Sequence, residues 1–474
     1  MIEQGRRAGR SLNAQRALLL ALLLLAGVPS QVWAHPKLKR STPSAGDSVR
    51  TTLTEVRLAF DEPVEAAIST LALLAPDGRR IVLQVRYGEP GVSTVLTAPL
   101  TQPLAPGTYT LMWKVAGGDG HPVRGKFSFV VTASGSNLVK PSAEPPPNSS
   151  HHPATSFPDD SGPGLNSLPY VLVRWFTFAS LVVLIGVLGF QQVVLRLIRR
   201  RAASTHLAVA ASGQIRAATL GLGAAILLLV SAGARLVAQA VAMQDPGEAI
   251  TGEGVAAMLL QTVWGWGWLL QVGATGLALI SFLQVGRGNQ RGWVGALAAT
   301  VILAFTPALA GHAAAVDRWQ PLPVLADGLH VLGAGGWLGT LFVVLLAGLP
   351  AAMQLEPSQG RMAVADLANA FSPVALVCAG LAAATGLFAA WIHLGTLPAL
   401  WQSAYGRTLL LKLAVLAGVA ATGAYNWRVV RPSLAKVPVT GPLRRSAGLE
   451  LVIATIVIAI TAVLVATPPP REPM

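Results

Sequence analysis

The 474-residue sequence contains a single cysteine, Cys378. One thiol excludes an intramolecular disulfide framework, so any part of the chain that folds outside the cytoplasm relies on its own core. Charge is scarce too: Asp, Glu, Lys and Arg make up 12% of the residues, against 53% hydrophobic. That balance excludes a wholly water-soluble protein. Acidic residues are the scarcer sign, 21 against 35 Lys and Arg, for a net charge of +14. A basic excess often marks a nucleic-acid binder. Here the arginines lie mainly between apolar runs, the pattern of cytoplasmic loops in a membrane protein, and no nucleic-acid partner is expected. No stretch has the form of an ATP-binding P-loop or a phosphorylated aspartate segment, so any transport would be passive or driven by a gradient.

What is present begins with an export signal. Arg6, Arg7, Arg10 and Arg16 precede or open an apolar run from Ala17 to Val28, and Val32-Trp33-Ala34 is a small-residue cleavage site. Residues 1–34 are therefore read as a signal peptide. Cleavage after Ala34 leaves His35 with a free α-amino group beside its imidazole. That amine titrates near pH ~8, so Cu(II) can displace its proton at neutral pH. Pro36 has no backbone N–H and cannot supply a peptide nitrogen, which leaves amine plus ring as the chelate. Asp119 and His121 stand at i and i+2, on one face of an extended segment, and would complete a Cu(II) plane. The plainer alternative is a frayed terminus and a polar turn.

Residues 35–133 read as a soluble all-β domain. Val56 to Phe60 and Lys126 to Val130 alternate apolar and polar, Leu71–Leu74 and Ile81–Val85 are short apolar runs, and Pro76-Asp77-Gly78, Glu89-Pro90-Gly91 and Pro106-Gly107 are turn signals. Such spacing suggests a sandwich or barrel. Residues 134–166 are a Pro/Ser-rich linker; its His151-His152 is either a metal relay or solvated sequence. From residue 167 to 474, apolar runs long enough to span a bilayer recur near 168–193, 217–242, 258–283, 293–310, 322–347, 367–394, 408–430 and 447–466. Arg196, Arg199, Arg200 and Arg201, Arg287 and Arg291, Arg361, and Arg428 to Arg445 follow alternate spans. The loops with Asp245, Glu248, Glu253 and Asp317 alternate with them. The basic loops are read as cytoplasmic, which puts the β domain and the C-terminus on the export side.

Three histidines approach that export side: His312 at the end of the fourth span, His330 two turns into the fifth, and His393 near the end of the sixth. Ionisable groups at membrane depth usually face the bundle interior and mark a path, and neutral imidazole suits copper. The alternative is an interhelical hydrogen bond with no ligand. His206 is read as a surface residue and Cys378 as a small packing residue. Met243 and Met258 are read as packing or as Cu(I) ligands, and Gly333–Gly339 as a site of close helix approach. Trp264, Trp266 and Trp268 suggest an interfacial belt. Arg235 and Asp327 are left between helix contact and path.

The β region resembles the CopC family of periplasmic copper carriers in His35-Pro36-Lys37-Leu38, Ser41-Thr42-Pro43, Val56–Glu65, Leu104–Tyr109 and Asp119–Phe129. That resemblance implies copper as the bound ion, held as Cu(II) by His35, Asp119 and His121. Met112 is the region's only methionine, so no thioether Cu(I) site is expected. The membrane region resembles the CopD family of inner-membrane copper-resistance proteins. The matching pieces are Gly311-His312-Ala313, His330 with Gly333–Gly339, Tyr405–Thr408 with Lys412, Asn426, and Arg444/Arg445 with Glu450. Together the halves resemble CopC–CopD fusions. The implied fold is an Ig-like or cupredoxin-like Greek-key sandwich, linked to an all-α bundle of about eight helices. The implied role is non-enzymatic: copper import or resistance at the inner membrane, with membrane lipid as surroundings. Two rivals stay open: a chaperone serving a cuproenzyme or taking copper from a periplasmic donor, and a membrane redox protein with haem or copper.

Overall fold

A computed structural model describes residues 36–50, 53–86, 92–117, 122–132, 168–200, 204–244, 249–309, 321–430, 441–467 and 470. The signal segment, His35, Asp119, His121, the linker with His151-His152, and His312 lie outside the described residues. So do the loop residues Asp245, Glu248, Asp317, Arg201 and Arg431.

Eight strands form the N-terminal domain: β1 Leu38–Thr42, β2 Ser48–Arg50, β3 Glu55–Glu65, β4 Thr70–Leu74, β5 Arg80–Leu83, β6 Val92–Pro99, β7 Gly107–Ala116 and β8 Pro122–Thr132. They make two sheets, β1-β3-β6 and β2-β8-β7-β4-β5, and the chain passes repeatedly between them, as a β-sandwich requires. The expected alternation holds. Val56, Leu58 and Phe60 of β3 and Phe127, Phe129 and Val131 of β8 are buried between the sheets with Leu71, Leu73, Leu96 and Leu111. Tyr109 stacks on Phe129 at 6.0 Å between ring centroids. The alternation slips once. The pairing of β3 with β6 shifts register between Ala59 and Val64, an irregularity of the kind that re-aims side chains. Beyond it, the consecutive residues Val64 and Glu65 are both buried.

The membrane half is helical: α1 Leu168–Arg199, α2 Ser204–Ala242, α3 Gly252–Leu260, α4 Val263–Gly286, α5 Gly292–Leu309, α6 Leu322–Ala352, α7 Pro357–Leu394, α8 Ala399–Gln402, α9 Ala404–Val429 and α10 Gly441–Leu464. Seven of these are long and apolar enough to cross a membrane; α5 is shorter. The eight apolar runs of the sequence thus correspond to α1, α2, α4, α5, α6, α7, α9 and α10.

The third run was expected to start at Met258, but the chain breaks there into two helices. The Thr262 hydroxyl accepts from Gly265 N–H at 2.9 Å and donates to the Met258 carbonyl at 2.6 Å. It thereby caps the start of α4 and ends α3. Four wide π turns interrupt the spans: Phe190–Val194 in α1, Gly335–Gly339 and Val344–Gly348 in α6, and Asn426–Val430 at the end of α9.

Close packing at the expected glycine-rich stretch is real. A Cβ placed on Gly186 of α1 would lie 2.0 Å from the Gly339 carbonyl carbon of α6. The two backbones touch, and only glycine fits. Gly186→Val should therefore overpack this contact and lower the apparent melting temperature of the detergent-solubilised protein, at a cost of about 1–3 kcal/mol or more. Gly223→Ala, whose added Cβ meets nothing within 4 Å, should leave the melting temperature unchanged.

Candidate functional site

Strand β3 organises the export-domain candidate. At one point it holds the chain that follows His35: Asp61 N–H donates to the Lys37 carbonyl at 2.9 Å, and the Asp61 carboxylate accepts from Lys37 N–H. Pro36 is buried beside it. Three residues on, Val64 bridges to Gly117, and Ala116 pairs with Pro122 across the β7–β8 hairpin. The connection that carries Asp119 and His121 thus leaves and rejoins the sheet beside β3. Three residues of strand span roughly 10 Å, so both flanks of the expected ligand set are tied to one short stretch.

In the bundle, His330 of α6 and His393 of α7 are half-buried. The His330 Nδ1 lies 2.9 Å from the Ala382 carbonyl of α7, and the His393 Nδ1 lies 2.7 Å from the Ala389 carbonyl of its own helix. A carbonyl only accepts, so each Nδ1 carries a proton, and in the neutral ring that leaves the lone pair on Nε2. That is the tautomer a metal-binding imidazole needs. Room for the His330 ring comes from Gly386, where a Cβ would sit 3.0 Å from the imidazole Cε1. Ionisable groups gather around these rings. Asp327 of α6 interacts electrostatically with His393 and with Lys412 of α9, Tyr405 of α9 with Asp327, and the His393 ring stacks on Tyr405 at 6.1 Å. Three helices therefore bring Asp327, His330, His393, Tyr405 and Lys412 to one region. Among the described residues, no group of three or more His, Cys, Asp or Glu side chains is close enough to hold a metal ion. His330 and His393 are not joined by a third such ligand there.

A second polar cluster joins α6, α9 and α10. Glu450 of α10 is 3% exposed. Its Oε2 accepts from Asn426 Nδ2 at 3.0 Å, and the Trp337 side chain bonds to it as well. Sequence reasoning named Asn426 and Glu450 only as matching positions. Their separation by 24 residues hides the contact, and only an acid inside an apolar run signals it.

The remaining candidates resolve into packing. The Cys378 Sγ lies against Gly336, where an added Cβ would be 2.6 Å away. Arg235 donates to Gln271 Oε1 at 3.0 Å, joining α2 to α4. Met258 is buried in a cluster with Ala240 and Trp264, with Met243 packed against it. The tryptophan belt reduces to Trp266, which is 61% exposed. Trp264 is buried, and Trp268 Nε1 donates to the Ala232 carbonyl at 2.9 Å. His206 is not a plain surface residue, since its Nε2 pairs with Asp366 at 2.8 Å.

Comparison with known proteins agrees with this layout. The CopC domain family matches residues 38–132, the copper resistance protein D-like N-terminal domain matches 165–321, and copper resistance protein D matches 365–464. The chain belongs to the CopC–CopD copper-resistance family. The copper transport protein CutJ of Bacillus subtilis is 24% identical over 467 residues, covering 98% of this chain and 79% of that protein. Protein YobA of Escherichia coli is 34% identical over 113 residues, covering 24% of this chain and 90% of that protein. The crystal structure of CopC from Methylosinus trichosporium OB3b is 32% identical and covers 22% of this chain and 99% of that one, with a TM-score of 0.20. The fusion is thus a multi-pass membrane protein of a copper transport and resistance family, with a β-sandwich from a copper-binding family at its N-terminal end.

Removing Asn426 leaves Glu450 with one donor fewer in an apolar setting. Asn426→Leu should destabilise the solubilised CopC–CopD fusion by about 1–3 kcal/mol, read by thermal unfolding followed through tryptophan fluorescence. Adding Glu450→Leu to that variant should recover most of the loss.

Proposed function

We propose that this CopC–CopD fusion captures Cu(II) outside the cytoplasm and passes copper into its own bundle, as a carrier and not a catalyst. In the captured state the metal is held by the α-amine and imidazole of His35, by Asp119 and by His121. The observation that carries this reading is β3, which ties down the segment after His35 at Asp61 and the β7–β8 connection at Val64. Nitrogen and carboxylate donors suit Cu(II), and the single methionine of residues 35–133 argues against a thioether Cu(I) site.

The linker 134–166 keeps capture and membrane domains on one chain. A short flexible tether holds a donor at an effective concentration of about millimolar near its acceptor. The receiving path is His312, His330 and His393. Support for it comes from the Nδ1 bonds that fix the His330 and His393 rings on backbone carbonyls and from the acidic and basic groups gathered around them.

The β domain faces the export side of the inner membrane. Alternating loop charge supports that orientation. So does contact of the β domain with the end of α2 and the start of α4, the ends that the charge pattern assigns to the outside.

Two experiments test the proposal. N-terminal sequencing of the mature protein should begin at His35. One alanine added before His35 should then weaken Cu(II) binding by at least about tenfold, since losing a nitrogen donor is worth more than ~1.4 kcal/mol, and should change the Cu(II) EPR spectrum. An unchanged spectrum rejects the chelate. For the path, His330→Ala should reduce copper accumulation by cells and uptake into proteoliposomes. Normal uptake by that variant rejects the route.

A further inference from the structure

The β domain meets the membrane half at two helix ends of opposite polarity. Glu65, at the end of β3, has no exposed surface. Its Oε1 accepts from the backbone N–H of Val263, the first residue of α4, at 2.8 Å, and Trp264 N–H contributes a second bond. The first N–H groups of a helix have no intrahelical partner and carry its positive pole, so a carboxyl group fits them. Close by, Arg124 of β8 donates through Nη2 to the carbonyls of Gln244 and, at 3.5 Å, Ala242. These carbonyls close the C-terminal end of α2, its negative pole. Between the two contacts Ile68, from the turn Ala66–Ile68 after β3, packs on the cluster of Met258 and Trp264.

We propose that Glu65 and Arg124 form a two-point latch that seats the copper-binding domain on the outer ends of α2 and α4, and that the seated state takes up a proton. The latch goes beyond the copper route and stands on these contacts whether or not copper crosses them. Burial is the cause of the proton dependence. Taking Glu65 out of water outweighs the N–H groups of α4 and raises its pKa from 4.5 to about 7. Its Oε2 is buried without a hydrogen-bond partner, which suits a carboxyl group that carries the proton on that oxygen.

The other titratable and charged side chains on the elements around Glu65 are Arg124 and Lys126 on β8, Lys114 on β7, His206, Arg216 and Arg235 on α2, Glu253 on α3, and Glu55, Arg57, Asp61 and Glu62 on β3. Glu253 is exposed, β6 carries no charge, and α4 carries none along its length. A raised carboxyl pKa means that the seated state binds the proton more tightly than the free one. Seating is therefore strongest below pH 4.5 and weakens as the pH rises to about 7, by a factor on the order of a hundred across that window.

The geometry gives the latch a consequence for the hairpin. Val64, next to Glu65, bridges to Gly117, and Arg124 pairs across the hairpin with Lys114. Both latch residues therefore flank the connection that holds Asp119 and His121, and closing the latch turns that end of the sandwich toward the bundle.

The test is a distance measurement on the full chain in lipid nanodiscs. Spin labels are placed at Val82→Cys on β5 and at Ile250→Cys before α3, both exposed positions, in a Cys378→Ala background. One narrow distance distribution is expected near pH ~5 and a broad one near pH ~8. Glu65→Gln keeps the accepting oxygen and removes the charge, so its distribution should stay narrow at both pH values. Because this variant is expected to tighten the seat, misfolding cannot mimic its result. Arg124→Gln should broaden the distribution at both. A parent distribution that ignores pH, a Glu65→Gln chain that opens like the parent, or an Arg124→Gln chain that stays narrow overturns the latch.

Discussion

Hydrocarbon offers no hydrogen-bond partner, so a polar group carried into the bundle gains by finding one on its own helix or on a neighbour. The membrane half is stitched by that requirement. His330 reaches across to the Ala382 carbonyl, Arg235 to Gln271, Glu450 to Asn426, and Trp175 to the Thr455 carbonyl. Each link joins two helices that apolar packing alone would hold only loosely, because lipid tails are as apolar as leucine. Between the links, small residues bring backbones into contact, as at Gly186 and Gly339. The same requirement governs the seam between the domains, where Glu65 is out of water and takes its partner from a helix end.

On the proposed function, the two halves would divide the handling of copper between them. The β-sandwich offers rigid strands that gather donors from distant points of the chain, which suits a metal plane whose ligands stand far apart in sequence. The bundle instead offers rings held by backbone carbonyls, and acids and bases shared among α6, α7 and α9. No fixed cage of three such groups appears among the described residues. A route needs sites weak enough to release the ion as well as to take it, and on the proposed function the imidazoles of α6 and α7 would serve as such sites.

Much of this architecture was legible in the chain. Alternation in Val56–Phe60 and Lys126–Val130 marks strands, since period two is what a half-buried strand imposes. Seven of the eight apolar runs mark helices long enough to cross a membrane, and the run at 293–310 marks the shorter α5. Gly333–Gly339 announced a tight crossing. Other features depend on events that periodicity does not register. Thr262 reads as one polar residue in an apolar run, yet its hydroxyl divides α3 from α4. Glu65 is a strand-end carboxyl that alternation does not place inside, and its burial comes from its seat against the start of α4. Asp327 and Lys412 lie on different helices, and only the packing of the bundle makes them neighbours. Trp264, Trp266 and Trp268 look alike in sequence, but the winding of α4 puts Trp264 and Trp268 on the inward face and Trp266 on the opposite one.

The wide turns of α6 have a consequence for the faces of that helix. Each π turn inserts one residue into the regular winding and rotates everything beyond it by about 100°. Two of them, Gly335–Gly339 and Val344–Gly348, lie within this one span. A helical wheel drawn straight through it from Asp327 to Ala352 therefore drifts by about 200°, slightly more than half a circle. Side chains that such a wheel groups with His330 at the far end of α6 point toward the opposite neighbours in space.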